Sequence, residues 1–308
     1  MNRSAQPVDA QGDLSFEFLA MGTPCRIAIE GTPQDVAERA AQAAIAEIRR
    51  IEAKYSRYQD DSVVSRINAA AGSGRIVAVD EETADLLDFA ARLNAFSDGL
   101  FDPTTGVLRK VWDFRAARLP EPAQVASALA RVGWHRVEWQ RPHIHLGLPE
   151  MELDFGGFGK EYATDRAAGV LAAAGVASAL VNLGGDLRVV GRRAQGRGWL
   201  LGIADPRKDG AVFASITLHE GALATSGDYE RYFEHAGRRY CHVLDPRSGW
   251  PAQGWRSVSV SAPACLAAGA LSTVAMLKGD DALAFLREQA VDFLAVDADG
   301  ALFHEGMA

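Results

Sequence analysis

Apolar and polar residues alternate over "LSFEFLAMGTPCRIAIEG", residues 14–31. A period of two predicts two short paired strands, with Met21-Gly22-Thr23-Pro24 between them. From Thr32 the period lengthens, and Val36, Ala40, Ala44, Ile48, Ile51 and Tyr55 recur at helical spacing. That pattern predicts a helix with one core-facing stripe, with Thr32 as N-cap, Pro33 at the first helical position and Asp35 completing a capping box. A second helix follows Asp80 and carries Leu86, Leu87, Phe89, Ala90 and Leu93; a third opens at Glu121-Pro122 and stops at Gly133.

Alternation returns at 137–146, then near 178–183, 186–191, 198–204 and 211–218, after a glycine-rich turn and a helix reaching to about 174. Strands near 239–244, 256–262 and 291–297 flank "AAGALSTVAML", residues 267–277. This segment reads as a buried helix of small and apolar residues with a Ser-Thr pair at its centre. Strands and helices mix without a regular βαβ beat, so the fold class is α+β. No repeat or linker interrupts the chain: residues 1–12 are expected to be a disordered tail and 13–308 a single domain.

A hydrophobic content of 48% in 308 residues supports a sizeable core. A net charge of -8 without a basic stripe argues against nucleic acid or an anionic membrane as the main partner. Cys25, Cys241 and Cys265 lack the number and spacing of a disulfide framework or a zinc site, and read as reduced, mostly buried thiols. No stretch of 18 apolar residues free of charge predicts a membrane span. Without a signal-like segment or a lipoprotein-like cysteine the chain is expected to be cytoplasmic, or periplasmic or membrane-anchored if a leader has been removed.

Several glycine-rich turns carry chemistry. "DFGGFGK", Asp154 to Lys160, gathers a carboxylate, three glycines and an amine at a helix start, where backbone N–H groups attract phosphate. Glu161 stands where a Walker loop has Ser or Thr, which excludes that motif. "NLGGDL", Asn182 to Leu187, reads as a hairpin turn, and "ATSGDYERY", Ala224 to Tyr232, gathers hydroxyls beside an acid. In "YCHVLDPRSG", Tyr240 to Gly249, His242 and Leu244 are expected on one strand face. His242 has the chemistry of a general base, although a lone strand histidine is more often a satisfied core or edge residue. His143 and His145 share a strand face, with no third ligand near enough to predict a metal. Asp102, Asp154, Asp186, Asp228 and Asp245 all lie in such turns, and jointly they point to a divalent-metal and phosphate-ester site.

"MGTP", "YSRYQDDSVVSRIN", "SDGLFDPTTG", "LDFGGFGKEYATDRA", "VNLGGDLRVVG", "LATSGDYERYF", "HVLDPRSGWP" and "AAGALSTVAMLKG" follow one another in this order. In order and spacing the chain resembles the ApbE family of FAD:protein FMN transferases over roughly residues 15–300. The resemblance implies a T-fold-like α+β domain. It also implies an activity that splits FAD at its pyrophosphate, places FMN on a threonine hydroxyl of a target flavoprotein through a phosphoester and releases AMP, assisted by Mg2+. By position it implies that Met21, Tyr58, Phe101, Asp102, Asp154, Lys160 and Val243 contact FAD. It further implies that the Gly157 carbonyl and Thr273 bind the metal, and that His242 activates the acceptor threonine. Two positions depart from the family pattern. Gly269 replaces the metal-binding Asp of the late helix, and Glu161 replaces a usual Gly, so Glu161 is expected either to restore a carboxylate or to be a solvated residue. The loss at Gly269 keeps two other readings in view: a non-catalytic FAD- or nucleotide-binding protein, and a FAD pyrophosphatase that gives FMN and AMP.

Overall fold

An eight-stranded antiparallel sheet organises the chain in the computed structural model, which describes residues 13–207 and 210–307. The tail expected at 1–12 lies outside the described residues. The first half comprises β1 (Leu14–Ala20), β2 (Thr23–Ile29), α1 (Gln34–Tyr55), α2 (Val63–Ala69), β3 (Val77–Ala78), α3 (Glu81–Phe96), α4 (Pro122–Leu129), β4 (Val137–Gln140) and β5 (His143–Leu146). Next come α5 (Gly159–Ala173), β6 (Ala179–Leu183), β7 (Asp186–Val190), β8 (Trp199–Ala204), β9 (Val212–Leu218) and β10 (Ala222–Gly227). The chain continues through β11 (Tyr232–His235), β12 (Arg238–Cys241), β13 (Trp255–Ala262), α6 (Cys265–Lys278), α7 (Ala282–Glu288), β14 (Asp292–Asp297) and β15 (Leu302–Glu305). The main sheet runs β1-β2-β6-β7-β10-β13-β14-β15. Smaller sheets are β3-β5-β4, β8-β9 and β11-β12. The mixture is α+β, as expected.

Both faces of the sheet are covered, and the strand pattern shows why. Ile27 and Ile29 of β2 face a core shared with α1, α5 and α6, whereas Ala28 between them joins a second core with Trp199, Leu201 and Ile216 of the β8–β9 ribbon. Buried on both sides, β6 reads as an apolar run rather than an alternation. The β6–β7 hairpin turns through Gly184 and Gly185 at φ 61° and 100°, as "NLGGDL" predicts. A Cβ on Gly184 would also meet the Thr23 hydroxyl at 2.5 Å.

α1 buries Ala40, Ala44, Ile48, Ile51 and Tyr55 of the expected stripe, while Val36 is only half-buried and Ala37 is buried in its place. Its cap differs. Pro33, in an extended conformation, is the N-cap residue, and Thr32 Oγ1 reaches back to the Glu30 carbonyl instead of capping. Asp80 caps α3 as predicted, accepting from the Thr83 amide at 3.0 Å. α4 ends at Leu129, short of the stop expected at Gly133. α6 packs on β10 and β13 and beside α5, buried almost all round. All three cysteines are buried and none forms a disulfide. Among the described residues no helix is long and apolar enough to cross a membrane.

Candidate functional site

The glycine turn delivers Lys160 into the space between α5 and the β6–β7 hairpin. α5 starts without a side-chain cap, and its first amide, Gly159, donates to the Phe155 carbonyl at 2.6 Å. One residue into the helix, Lys160 Nζ lies 2.6 Å from Asp186 Oδ2 at the start of β7. Burial acts to lower the Lys160 pKa, but Asp186, Glu230 and Glu161 outweigh it, and the ammonium is held charged. Asp186 itself is pushed up by burial, against the pull of Lys160. The next residue, Glu161, is also buried; desolvation first and Asp186 second push its carboxyl well above the usual range.

His242 is not on a strand. β12 ends at Cys241, and the His242 amide donates to the Arg231 carbonyl at 3.0 Å in the loop that follows, while Leu244 bridges to Pro251. Two residues on one extended face were expected, but the Asp245-Pro246 turn leaves too little straight chain for that. Burial lowers the imidazole to about 4, with the charges of Arg231 and Lys160 adding to it. The ring is therefore neutral near pH 7, and its buried Nδ1 has no partner. That is the state a proton acceptor needs.

The remaining residues singled out in the sequence each have their own local partners. Asp154 pairs with Arg57 and accepts from the Gly156 amide at 2.9 Å, which closes the glycine turn. Tyr58, 73% exposed, has the Arg57 guanidinium 5.0 Å from its ring centre. Burial acts to raise its phenol pKa, but the hydrogen bond from Arg57 and the charges of Arg57, Arg231 and Arg109 lower it overall. Phe101 is buried against Gly157, where a Cβ would come within 3.1 Å of the ring. Met21 takes a left-handed φ of 52° and donates its amide to Glu52 Oε1 at 2.6 Å. The Val243 carbonyl accepts from the Ala252 amide.

Asp102 is occupied within the protein. One oxygen accepts from the amide and hydroxyl of Thr104 at 2.8 and 2.6 Å, and the other from the Trp134 amide at 2.8 Å. On α6, Thr273 lies one turn beyond Gly269 on the same face. Its hydroxyl is 2.9 Å from Ser226 Oγ, which is itself 2.8 Å from Ser272 Oγ.

Asp186 appeared in the sequence only as one acid among several in glycine turns; its pairing with Lys160 has no local signal. Ser226, Glu230 and Arg231 lay inside the "ATSGDYERY" stretch without being assigned a part, and Glu52 and Arg57 were not singled out, because each acquires its neighbours through packing. His143 and His145 lie on β5 without a third ligand, and no cluster of three His, Cys, Asp or Glu side chains poised for a metal occurs among the described residues. A groove of about 660 Å3 lined by Asp165, Arg188, Arg192 and His219 lies elsewhere, at the far end of α5, and includes none of the residues above.

The model of the ApbE family matches residues 21–295. A FAD:protein FMN transferase of Treponema pallidum is 34% identical over 301 residues, covering 91% of this chain and 82% of that protein. The FAD:protein FMN transferase of Haemophilus influenzae is 30% identical over 281 residues, covering 87% and 81%. The crystal structure of the ApbE protein from Thermotoga maritima superposes with a TM-score of 0.88 at 33% identity, over 96% of this chain and 97% of that one.

Proposed function

The chain belongs to the ApbE family, and from that premise we propose that residues 13–308 form a FAD:protein FMN transferase domain whose acceptor is a threonine of a target flavoprotein. The acceptor oxygen attacks the phosphorus on the riboflavin side of the FAD pyrophosphate. A new P–O bond forms, the bridging P–O bond breaks, and AMP leaves with the bridging oxygen. The hydroxyl proton passes to His242.

Each group has a physical reason for its part. The neutral imidazole of His242, with Nδ1 free, accepts a proton that a hydroxyl does not give up to water at neutral pH. Lys160 is kept charged by three carboxylates and offsets the negative charge that gathers on the phosphate oxygens. The N-terminus of α5 adds its partial positive charge to the same end. Tyr58 and Phe101 offer aromatic surface for a flat ring; Met21, Asp102, Asp154 and Val243 belong to the loops that frame it. The observation that carries this reading is that Lys160, held charged by its carboxylates, acts in turn on the buried, neutral imidazole of His242.

Mg2+ fits the residues present. Glu161 Oε2 is buried with no hydrogen-bond partner, the kind of oxygen a hard cation takes, and the Thr273 hydroxyl and Gly157 carbonyl are neutral oxygens of the right class. Bound there, the cation would neutralise pyrophosphate oxygens.

Mixing the protein with FAD, Mg2+ and a threonine-bearing flavoprotein domain tests the reading. Covalent flavin on the acceptor is expected. Free FMN with AMP would make the protein a pyrophosphatase, and bound but unchanged FAD a binding protein.

A further inference from the structure

We infer that Glu161 of α5 serves as the anionic cation ligand of this site, taking the volume that the glycine at 269 leaves open on the neighbouring helix α6. The two departures are then one exchange, with the carboxylate carried by α5 instead of α6. This rests on the reading that a divalent cation serves the site.

The geometry ties the two positions together. A Cβ built on Gly269 would fall 2.6 Å from Glu161 Cγ and 2.8 Å from its Oε1, so the Glu161 carboxylate occupies the space where a side chain at 269 would begin. Only a residue without a side chain admits it. Glu161 is 8% exposed, and its Oε2 meets no donor. A buried carboxylate oxygen left without a partner is costly, and a bound cation removes that cost.

The neighbouring charges do not supply the missing partner. Lys160 is the nearest cation, and its Nζ is committed to Asp186 at 2.6 Å. Thr273, one turn along the same face, adds a hydroxyl oxygen next to Ser226. One carboxylate with neutral oxygens, water and substrate phosphate is the donor set that Mg2+ prefers.

Mn2+ added as the metal alone to the full chain, with the bound fraction read from loss of the free-ion electron paramagnetic resonance signal, tests the exchange. Wild type is expected to bind one Mn2+. Glu161→Gln should weaken that binding by at least about tenfold, the lower end of what even supporting groups contribute to metal sites. Gly269→Asp alone should also weaken it, because two carboxylates crowd one space. The double variant Glu161→Gly/Gly269→Asp should return to within about threefold of wild type. Unfolding midpoints without metal identify any variant that fails to fold. Wild-type affinity in Glu161→Gln, no Mn2+ bound by wild type, or a double variant no better than Glu161→Gln would overturn the exchange. Flavin transfer is measured separately on the same proteins. Transfer with metal binding indifferent to residue 161 would sink only the exchange, and intact metal coupling without transfer would sink only the proposed activity.

Discussion

Lowering the pH isolates His242, because burial, reinforced by the charges of Arg231 and Lys160, pushes its imidazole down to about 4. An unperturbed histidine titrates near pH 6.5, so the folded protein resists this protonation by about 2.5 pH units, or about 3 kcal/mol. The folded value is the depressed one. The contribution is therefore fully present above about pH 6.5 and is lost as the pH falls from there toward 4. Urea unfolding of wild type and His242→Asn at several pH values between 7 and 4 measures it. Wild type should lose up to about 3 kcal/mol more than the variant over that range. Kinetics add a second reading. The acid limb of kcat/KM should lie near pH 4, and that of kcat should lie higher, because the bound pyrophosphate offsets the Arg231 and Lys160 charges that depress His242. Equal pH slopes in the two proteins, or a His242 resonance titrating near 6.5 in the free enzyme, would show that the folded protein does not hold this imidazole neutral.

Asp186→Asn strands the Lys160 charge and should cost about 2–4 kcal/mol in urea unfolding, below the fully buried case because 25% of the Lys160 side chain stays exposed. Adding Lys160→Met should recover most of that stability but none of the flavin transfer. Asp102→Ala deprives three donors of their acceptor and should cost about 2–4 kcal/mol, read as a lowered thermal midpoint. Tyr58→Ala, at a largely exposed position, should change stability by less than about 0.5 kcal/mol while raising KM for FAD.

Elements governed by local rules were legible in the sequence. The β1–β2 pair, the α1 stripe, the Asp80 cap and the Gly184-Gly185 turn each follow from periodicity or from a backbone conformation that few residues adopt. β10 was not legible, since "ALATSG" is covered on both sides and has no alternation to read. α2 is seven residues long, too short for a period, though Ser62 caps it through the Ser65 amide. The same divide runs through the site. The glycine turn with Lys160 stood out because its chemistry is contiguous in the chain. The contact of Glu161 with Gly269 arises only where α5 packs beside α6, so the sequence showed two separate departures and the fold shows a single shared space.

The central claim is that this site moves FMN from FAD to a protein. Intact-mass measurement of a threonine-bearing flavoprotein domain after incubation with FAD, Mg2+ and the protein, with AMP quantified in the same sample, tests it most directly. Expected are a mass increase equal to one FMN phosphoester, one AMP released per modified acceptor, and loss of both products with His242→Ala. An unmodified acceptor, with FAD intact or with AMP released without transfer, would contradict it.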